Sequence, residues 1–351
     1  MRYTKVHLEA IGYELAPVVV TSDELEERLA PLYKQLHVPE GSLEALTGIS
    51  ERRWWEPKHS LSSSAAAAAK KALARADVPP EALEAVVYAG VCRENFEPAT
   101  ACAVAVELGV QGAAAVYDIS NACLGILNGI QEIANRIELG QIRAGIVASA
   151  ETAREIVEIT IERMLRDATM ATYTEGLATL TGGSGAVAVV LTDGSFGNHD
   201  THRVLGGAQR TAPQHNDLCR WGLADAPTLH GSEPLGQRMY TDAASVLQHG
   251  VTLANETWQD FLSQMAWDAN EVDRVICHQV GTAHRDRILG SIGIDPAKDF
   301  STFPYLGNVG TVSLPLTAAL AEEREAIAPG DRVAFLGIGS GLNCMMLGVE
   351  W

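Results

Sequence analysis

The segment Ala85-Val86-Val87-Tyr88-Ala89-Gly90-Val91 is apolar on both faces, and such a strand belongs inside a sheet covered by helices on either side. Similar short runs recur at Ala114–Ile119, Ala144–Ser149, Gly185–Leu191, Arg274–His278 and Arg332–Leu336. Segments of helical periodicity separate them, and this alternation predicts an α/β fold. Thr21 and Glu24 have the spacing of a capping box, ahead of Leu25, Leu29, Leu32 and Leu36 at helical intervals. The Ala-rich stretch from Ser62 to Ala76 predicts a helix whose small side chains let it lie close against a sheet. Between Asp193 and Gly236 the pattern breaks into Gly, Pro, His and Asn, and residues 194–236 are expected to form an irregular lid or insertion. That break divides the chain into two parts, 1–193 and 194–351, each with several βαβ-like units but with no close sequence repeat between them.

Composition narrows the function classes. Lys and Arg total 26 against 44 Asp and Glu, a formal net charge of −18. Nucleic-acid binding rests on clustered cations that neutralise phosphates, so this balance argues against it. Hydrophobic residues make up 47%, enough for a substantial core and too many for a disordered chain. No window approaches the roughly 18 unbroken apolar residues of a membrane span. The start, Met1-Arg2-Tyr3-Thr4-Lys5, lacks the apolar run of a signal peptide, and six scattered cysteines without a CxxC pair suit a reducing cytoplasm. Cys277 and His278 are adjacent on a strand and point to opposite faces, and no other Cys/His spacing suggests a metal.

The segment Val116-Tyr117-Asp118-Ile119-Ser120-Asn121-Ala122-Cys123-Leu124-Gly125 carries the chemistry. A strand runs into a small-residue turn and then a helix, so Cys123 stands at a helix N-terminus, where free amides and the dipole favour a thiolate. Position alone is equally compatible with a buried structural cysteine. Two downstream residues are candidate partners: His278, at the end of a strand and followed by Gln279, and Asn308 in the loop Tyr305-Leu306-Gly307-Asn308-Val309-Gly310.

Asn121-Ala122-Cys123, His278-Gln279 and Gly307-Asn308, with Thr47-Gly48-Ile49-Ser50-Glu51-Arg52-Arg53 and Gly337-Ile338-Gly339-Ser340-Gly341-Leu342, resemble the thiolase superfamily in its ketoacyl synthase III branch. The resemblance covers nearly the whole chain. It implies a thiolase-like five-layer αβαβα fold of two similar halves, assembled as a homodimer. Cys123 would take an acyl group from a thioester. His278 and Asn308 would hold the second substrate's thioester oxygen, and the backbone amides of Cys123 and Ser340 would form the oxyanion hole. Arg52 and Arg53 would contact CoA phosphates; otherwise they are a solvated pair. No cofactor or metal is implied, the CoA thioesters being substrates. Classical thiolases have a second catalytic cysteine near the C-terminal glycine loop, and Cys344 does not match that motif.

Within the branch, Asn95-Phe96-Glu97-Pro98-Ala99-Thr100 is informative. It resembles the OleA-type enzymes of bacterial olefin biosynthesis, which join two fatty acyl-CoAs head to head. There a matching glutamate reaches into the partner subunit and acts as base. Without a carboxylate to lose, a base has to remove the α-proton, so Glu97 is the expected base. The alternatives are a decarboxylating synthase III that uses malonyl carrier protein, and a non-catalytic binding paralogue. The charge of −18 favours CoA over an acidic acyl carrier protein as the thioester source.

Overall fold

The computed structural model describes residues 1–196, 202–223 and 237–351. The strands of its first part are β1 (His7–Leu15), β2 (Val18–Thr21), β3 (Glu51–Trp54), β4 (Ala85–Ala89), β5 (Ala115–Ile119), β6 (Ala144–Glu151) and β7 (Gly185–Thr192). There follow β8 (His202–Thr211), β9 (Cys219–Leu223), β10 (Gln237–Thr241), β11 (Arg274–Cys277), β12 (Arg332–Gly339) and β13 (Asn343–Glu350). Nine of these hydrogen-bond in the order β11-β12-β13-β8-β1-β7-β6-β4-β5, while β2 pairs β3 and β9 pairs β10.

The large sheet has a joint. β1 and β8 meet through two residue pairs, His7 with Arg203 and Leu8 with His202. On one side of it β5–β4 and β4–β6 are parallel, and β6–β7 and β7–β1 antiparallel. On the other side β11–β12 is parallel, β12–β13 and β13–β8 are antiparallel, and Asp299 makes a parallel bridge to Val275 of β11. One pattern therefore occurs twice in one chain order: β1, β4, β5, β6, β7, and then β8, β11, the Asp299 bridge, β12, β13.

Helices complete five layers. Gly125–Glu138 and Ser313–Glu323 lie in the middle, where Ile126, Ile130, Leu314 and Leu316 share a core with Val87 and Val187 from one part and Phe335 and Leu347 from the other. Leu61–Ala76 and Thr100–Leu108 cover the outer face of the first part through Ala65, Ala69 and Val104 against Val86 and Val190. Ala243–Met265 and Thr282–Ile292 cover that of the second, with Leu253, Phe261 and Leu289 against Val275, Ala334 and Met346. This is the αβαβα arrangement expected from the sequence. No helix among the described residues is long and apolar enough to cross a membrane.

Local signals act as their chemistry requires. Thr21 Oγ1 accepts the Glu24 amide (3.1 Å) and Glu24 returns a carboxylate to the Thr21 amide (2.7 Å), closing the capping box of Ser22–Leu36. The Ala-rich helix lies almost directly on β1: a Cβ added at Gly12 would stand 2.3 Å from the Ala68 carbonyl oxygen and 2.5 Å from the Ala72 nitrogen. Gly12→Ala is therefore expected to lower stability by about 2–3 kcal/mol, read as an earlier midpoint in urea, because backbone rather than a flexible side chain would have to move.

The region 194–236 departs from expectation. Residues 202–211 form a full strand paired along β13, and 219–223 pairs with 237–241, so much of it is regular β structure. Residues 197–201 and 224–236 of that region lie outside the described residues.

Candidate active site

The turn after β5 presents Cys123. Ala122 has φ of 45°, a left-handed conformation that costs a residue with a Cβ, and it swings the chain from the strand into the turn Ala122–Leu124 and the helix Gly125–Glu138. Asparagine side chains fix this elbow. Asn121 donates to Asn128 Oδ1 (2.7 Å), and Asn343 donates from Nδ2 to Asn121 Oδ1 (3.0 Å). The glycine loop after β12 packs against the same elbow, since a Cβ at Gly339 would lie 3.4 Å from the Cys123 nitrogen.

His278 follows β11 directly, its amide donating to the Leu336 carbonyl (2.9 Å). The neighbouring Gln279 is buried and pins the turn: its Oε1 accepts from the Thr302 (2.8 Å) and Phe303 (3.1 Å) amides while its Nε2 donates to the Cys277 carbonyl (2.6 Å). Asn308 is fixed from both sides, its amide donating to the Thr181 carbonyl and its own carbonyl accepting from Gly183, each at 2.9 Å. The Gly310 amide donates to Asn308 Oδ1 (3.0 Å), so the Nδ2 group remains as the donor of this side chain.

Cys123, His278, Asn308 and Ser340 line one cavity of about 840 Å³. Its walls are otherwise largely apolar, with Ile156, Leu177, Trp221, Leu247, Ile288 and Leu342 among them. Such a space suits long aliphatic chains. Desolvation changes the expectation drawn from the helix N-terminus. Burial pushes the Cys123 thiol up to about 12, with the negative fields of Cys219 and Glu151 adding to it and the residue's own amide opposing. Burial likewise drives His278 down to about 4, so its ring is neutral at physiological pH. Neither ring nitrogen has a hydrogen-bond partner among the described residues. Neutral imidazole and carboxamide N–H groups in a largely apolar cavity suit a developing enolate or thioester oxygen.

The family model for the thiolase N-terminal domain matches residues 56–178, and that for the C-terminal part of 3-oxoacyl-[acyl-carrier-protein] synthase III matches residues 262–351. An acyl-CoA:acyl-CoA alkyltransferase of Shewanella oneidensis is 56% identical over 353 residues, covering 100% of both chains. The chain belongs to the OleA-type acyl-CoA:acyl-CoA alkyltransferases. Among solved structures, a cysteine-to-serine variant of Xanthomonas campestris OleA with bound lauric acid and lauroyl-CoA superposes with a TM-score of 0.92 at 36% identity, over 99% of this chain and 100% of that one. A glutamate-to-glutamine variant of the same enzyme gives 0.92 at 35% identity, over 100% and 98%.

In this alkyltransferase the remaining sequence candidates lie apart from the cavity. Arg52 is a correction: it is fully buried, donates to the Val20 carbonyl (3.3 Å) and Ser22 Oγ (3.1 Å), and cannot meet a CoA phosphate from there. Burial lowers its guanidinium to about 10. Arg53 is half-buried on β3, donates to the Ala16 carbonyl (3.4 Å) and does not line the cavity. Glu97 is exposed on the loop after β4, beside Phe96 at 94% exposure, and stands outside the cavity of its own protomer. Cys344 is buried in the outer core of the second part, where burial pushes its thiol up to about 12. Among the described residues no cluster of His, Cys, Asp or Glu could hold a metal ion.

Sequence reasoning missed Glu151, Thr311 and Asn343. Glu151 is buried, lines the cavity and ends β6. Thr311 Oγ1 accepts the Ile126 amide (2.8 Å), tying the Asn308 loop to the nucleophile helix. Asn343 could have been suspected, because a polar residue two positions after Gly341 opens a final strand whose Cys344–Val349 run is apolar.

Proposed function

We infer that this alkyltransferase joins two fatty acyl-CoA thioesters by a non-decarboxylative Claisen condensation through an acyl-Cys123 intermediate. The observation that carries the reading is the convergence of Cys123, His278 and Asn308 on one large apolar cavity. Cys123 Sγ attacks the first thioester carbonyl, and the amides of Cys123 and Ser340 receive the oxyanion. CoA leaves carrying the thiol proton. The second acyl-CoA binds with its thioester oxygen against His278 and Asn308, and Glu97 of the partner subunit removes its α-proton. The carbanion attacks the acyl-cysteine carbonyl, the new C–C bond forms, and the cysteine thiolate departs and is reprotonated.

Two observations support Glu97 as the base. It is exposed and away from its own cavity, as a residue lent to a homodimer partner has to be. In Xanthomonas OleA the varied glutamate and cysteine are 26 positions apart, as Glu97 and Cys123 are here, 123 − 97 = 26. The reading needs no cofactor beyond the CoA thioesters. It places the enzyme in the cytoplasm, supported by six cysteines that are all free thiols.

The test is incubation with a single long-chain acyl-CoA and no malonyl donor. Free CoA and a β-keto product are expected. Turnover that appears only when malonyl carrier protein is added would replace this reading with the decarboxylating one.

A further inference from the structure

Glu151 has no part in the chemistry above, yet it lines the cavity with its carboxyl group buried. Backbone amides, rather than a cation, hold it. Val91 N–H donates to Oε1 (3.0 Å) and Cys92 N–H to Oε2 (3.1 Å). Both flanking loops are pressed against it through glycines. A Cβ at Gly90 would lie 3.0 Å from Oε1, and one at Gly310, which has φ of +55°, would lie 3.3 Å from Cδ. Gly310 is the residue whose amide fixes Asn308 Oδ1. The Val91–Cys92 turn is the root of the loop that carries Glu97.

We propose that Glu151 is a positioning residue for the condensation half of the reaction: one buried carboxyl sets the Asn308 loop and the root of the Glu97 loop in fixed relation. Each protomer thereby orients, from a single point, an amide for its own second substrate and the base it lends to its partner. The inference rests on the reading of the function given above. It separates the two half-reactions, because the carboxyl's own hydrogen bonds go to Val91 and Cys92 and not to the elbow or the glycine loop used in acylation of Cys123. Burial pushes the Glu151 carboxyl up, against the two amides that hold it, and in its ionised form it opposes a thiolate at Cys123. A glutamine in its place would turn an NH2 group toward one of the two N–H donors and could carry no charge.

The test uses the full-length enzyme and a single long-chain acyl-CoA, with Glu151→Gln, Glu151→Asp and Gly310→Ala. CoA release in the first turnover reads acylation, β-keto product reads condensation, and iodoacetamide labelling against pH reads the thiol. In Glu151→Gln, first-turnover acylation is expected at or above the wild-type rate while condensation falls by about a hundredfold, the cost of a misplacement near 1 Å. Its labelling profile moves to lower pH, and Glu151→Asp recovers part of the condensation. Gly310→Ala, which disturbs the same contact from the loop side, is expected to show the same selective loss, and should Glu151→Gln not fold, a condensation-selective loss in Glu151→Asp against none decides the matter. Condensation at the wild-type rate, or equal losses in both half-reactions, overturns the positioning role. Failure of the wild-type enzyme itself to condense one acyl-CoA overturns the function instead, so the two failures are distinct.

Discussion

Cys123→Ala is expected to leave a folded protein that acquires no acyl mass and makes no β-keto product. The residue sits in the cavity rather than in a core cluster, so removing its sulfur deletes a nucleophile without emptying packed space. Turnover should fall on the order of 10⁴–10⁶-fold, the scale seen when the covalent nucleophile of an acyl-transfer site is deleted. Intact-mass measurement after exposure to a long-chain acyl-CoA checks it: an alanine variant that still gains the acyl mass would move the nucleophile elsewhere. The thiol is desolvated and pushed up to about 12, so labelling of the wild-type by iodoacetamide in the absence of substrate should be slow near neutral pH and climb through the alkaline range.

Glu97→Ala should separate the two half-reactions. Acylation of Cys123 needs no carbon acid and is expected to proceed at the wild-type rate, whereas condensation should drop by about 10²–10⁴-fold, the contribution of a well-placed general base. Mixed dimers make the expectation sharper. One subunit carrying Glu97→Ala and the other Cys123→Ala would contain one complete site, with the cysteine of the first and the glutamate of the second. Mixing two inactive homodimers under subunit exchange is therefore expected to restore product. No restoration after proven exchange would place the base in its own subunit, and wild-type condensation by Glu97→Ala would remove it from the chemistry.

The strands apolar on both faces were legible in the sequence, because burial on both sides leaves no polar alternation to confuse them. β1 was not, although it is the central strand at the joint. Its Glu9 is buried with Thr192 as partner, and its Gly12 makes room for a helix backbone, and each reads locally as a loop residue. β8 hid for a related reason: Gly206 and Gly207 are required because the backbones of Met1 and Met346 pass within 2.4 and 2.0 Å of where their Cβ atoms would be. Cys123, His278 and Asn308 were legible because three short motifs resembling the ketoacyl synthase III branch occur in its order; the position of Cys123 at a helix start left a structural cysteine equally open. Arg52 misled because two adjacent arginines beside two tryptophans look like surface residues, and only the strand pairing of β3 shows that one of them faces inward. Glu151 left no signal, since its partners are backbone amides from distant loops.

The doubled strand pattern has a consequence for how a two-substrate reaction is divided. The connection that leaves β5 delivers Cys123, and the corresponding connection after the Asp299 bridge delivers Asn308. On the proposed mechanism, matching corners of a repeated scaffold hold unlike tools, one a covalent tether and the other a polariser. On the proposed reading the acyl donor and the acyl acceptor meet in one cavity, held by corresponding corners of two pseudo-symmetric parts. Substitutions at one corner can therefore retune donor capture while acceptor activation keeps its own geometry, and the seam between the two parts, rather than either part alone, is the unit on which catalysis depends.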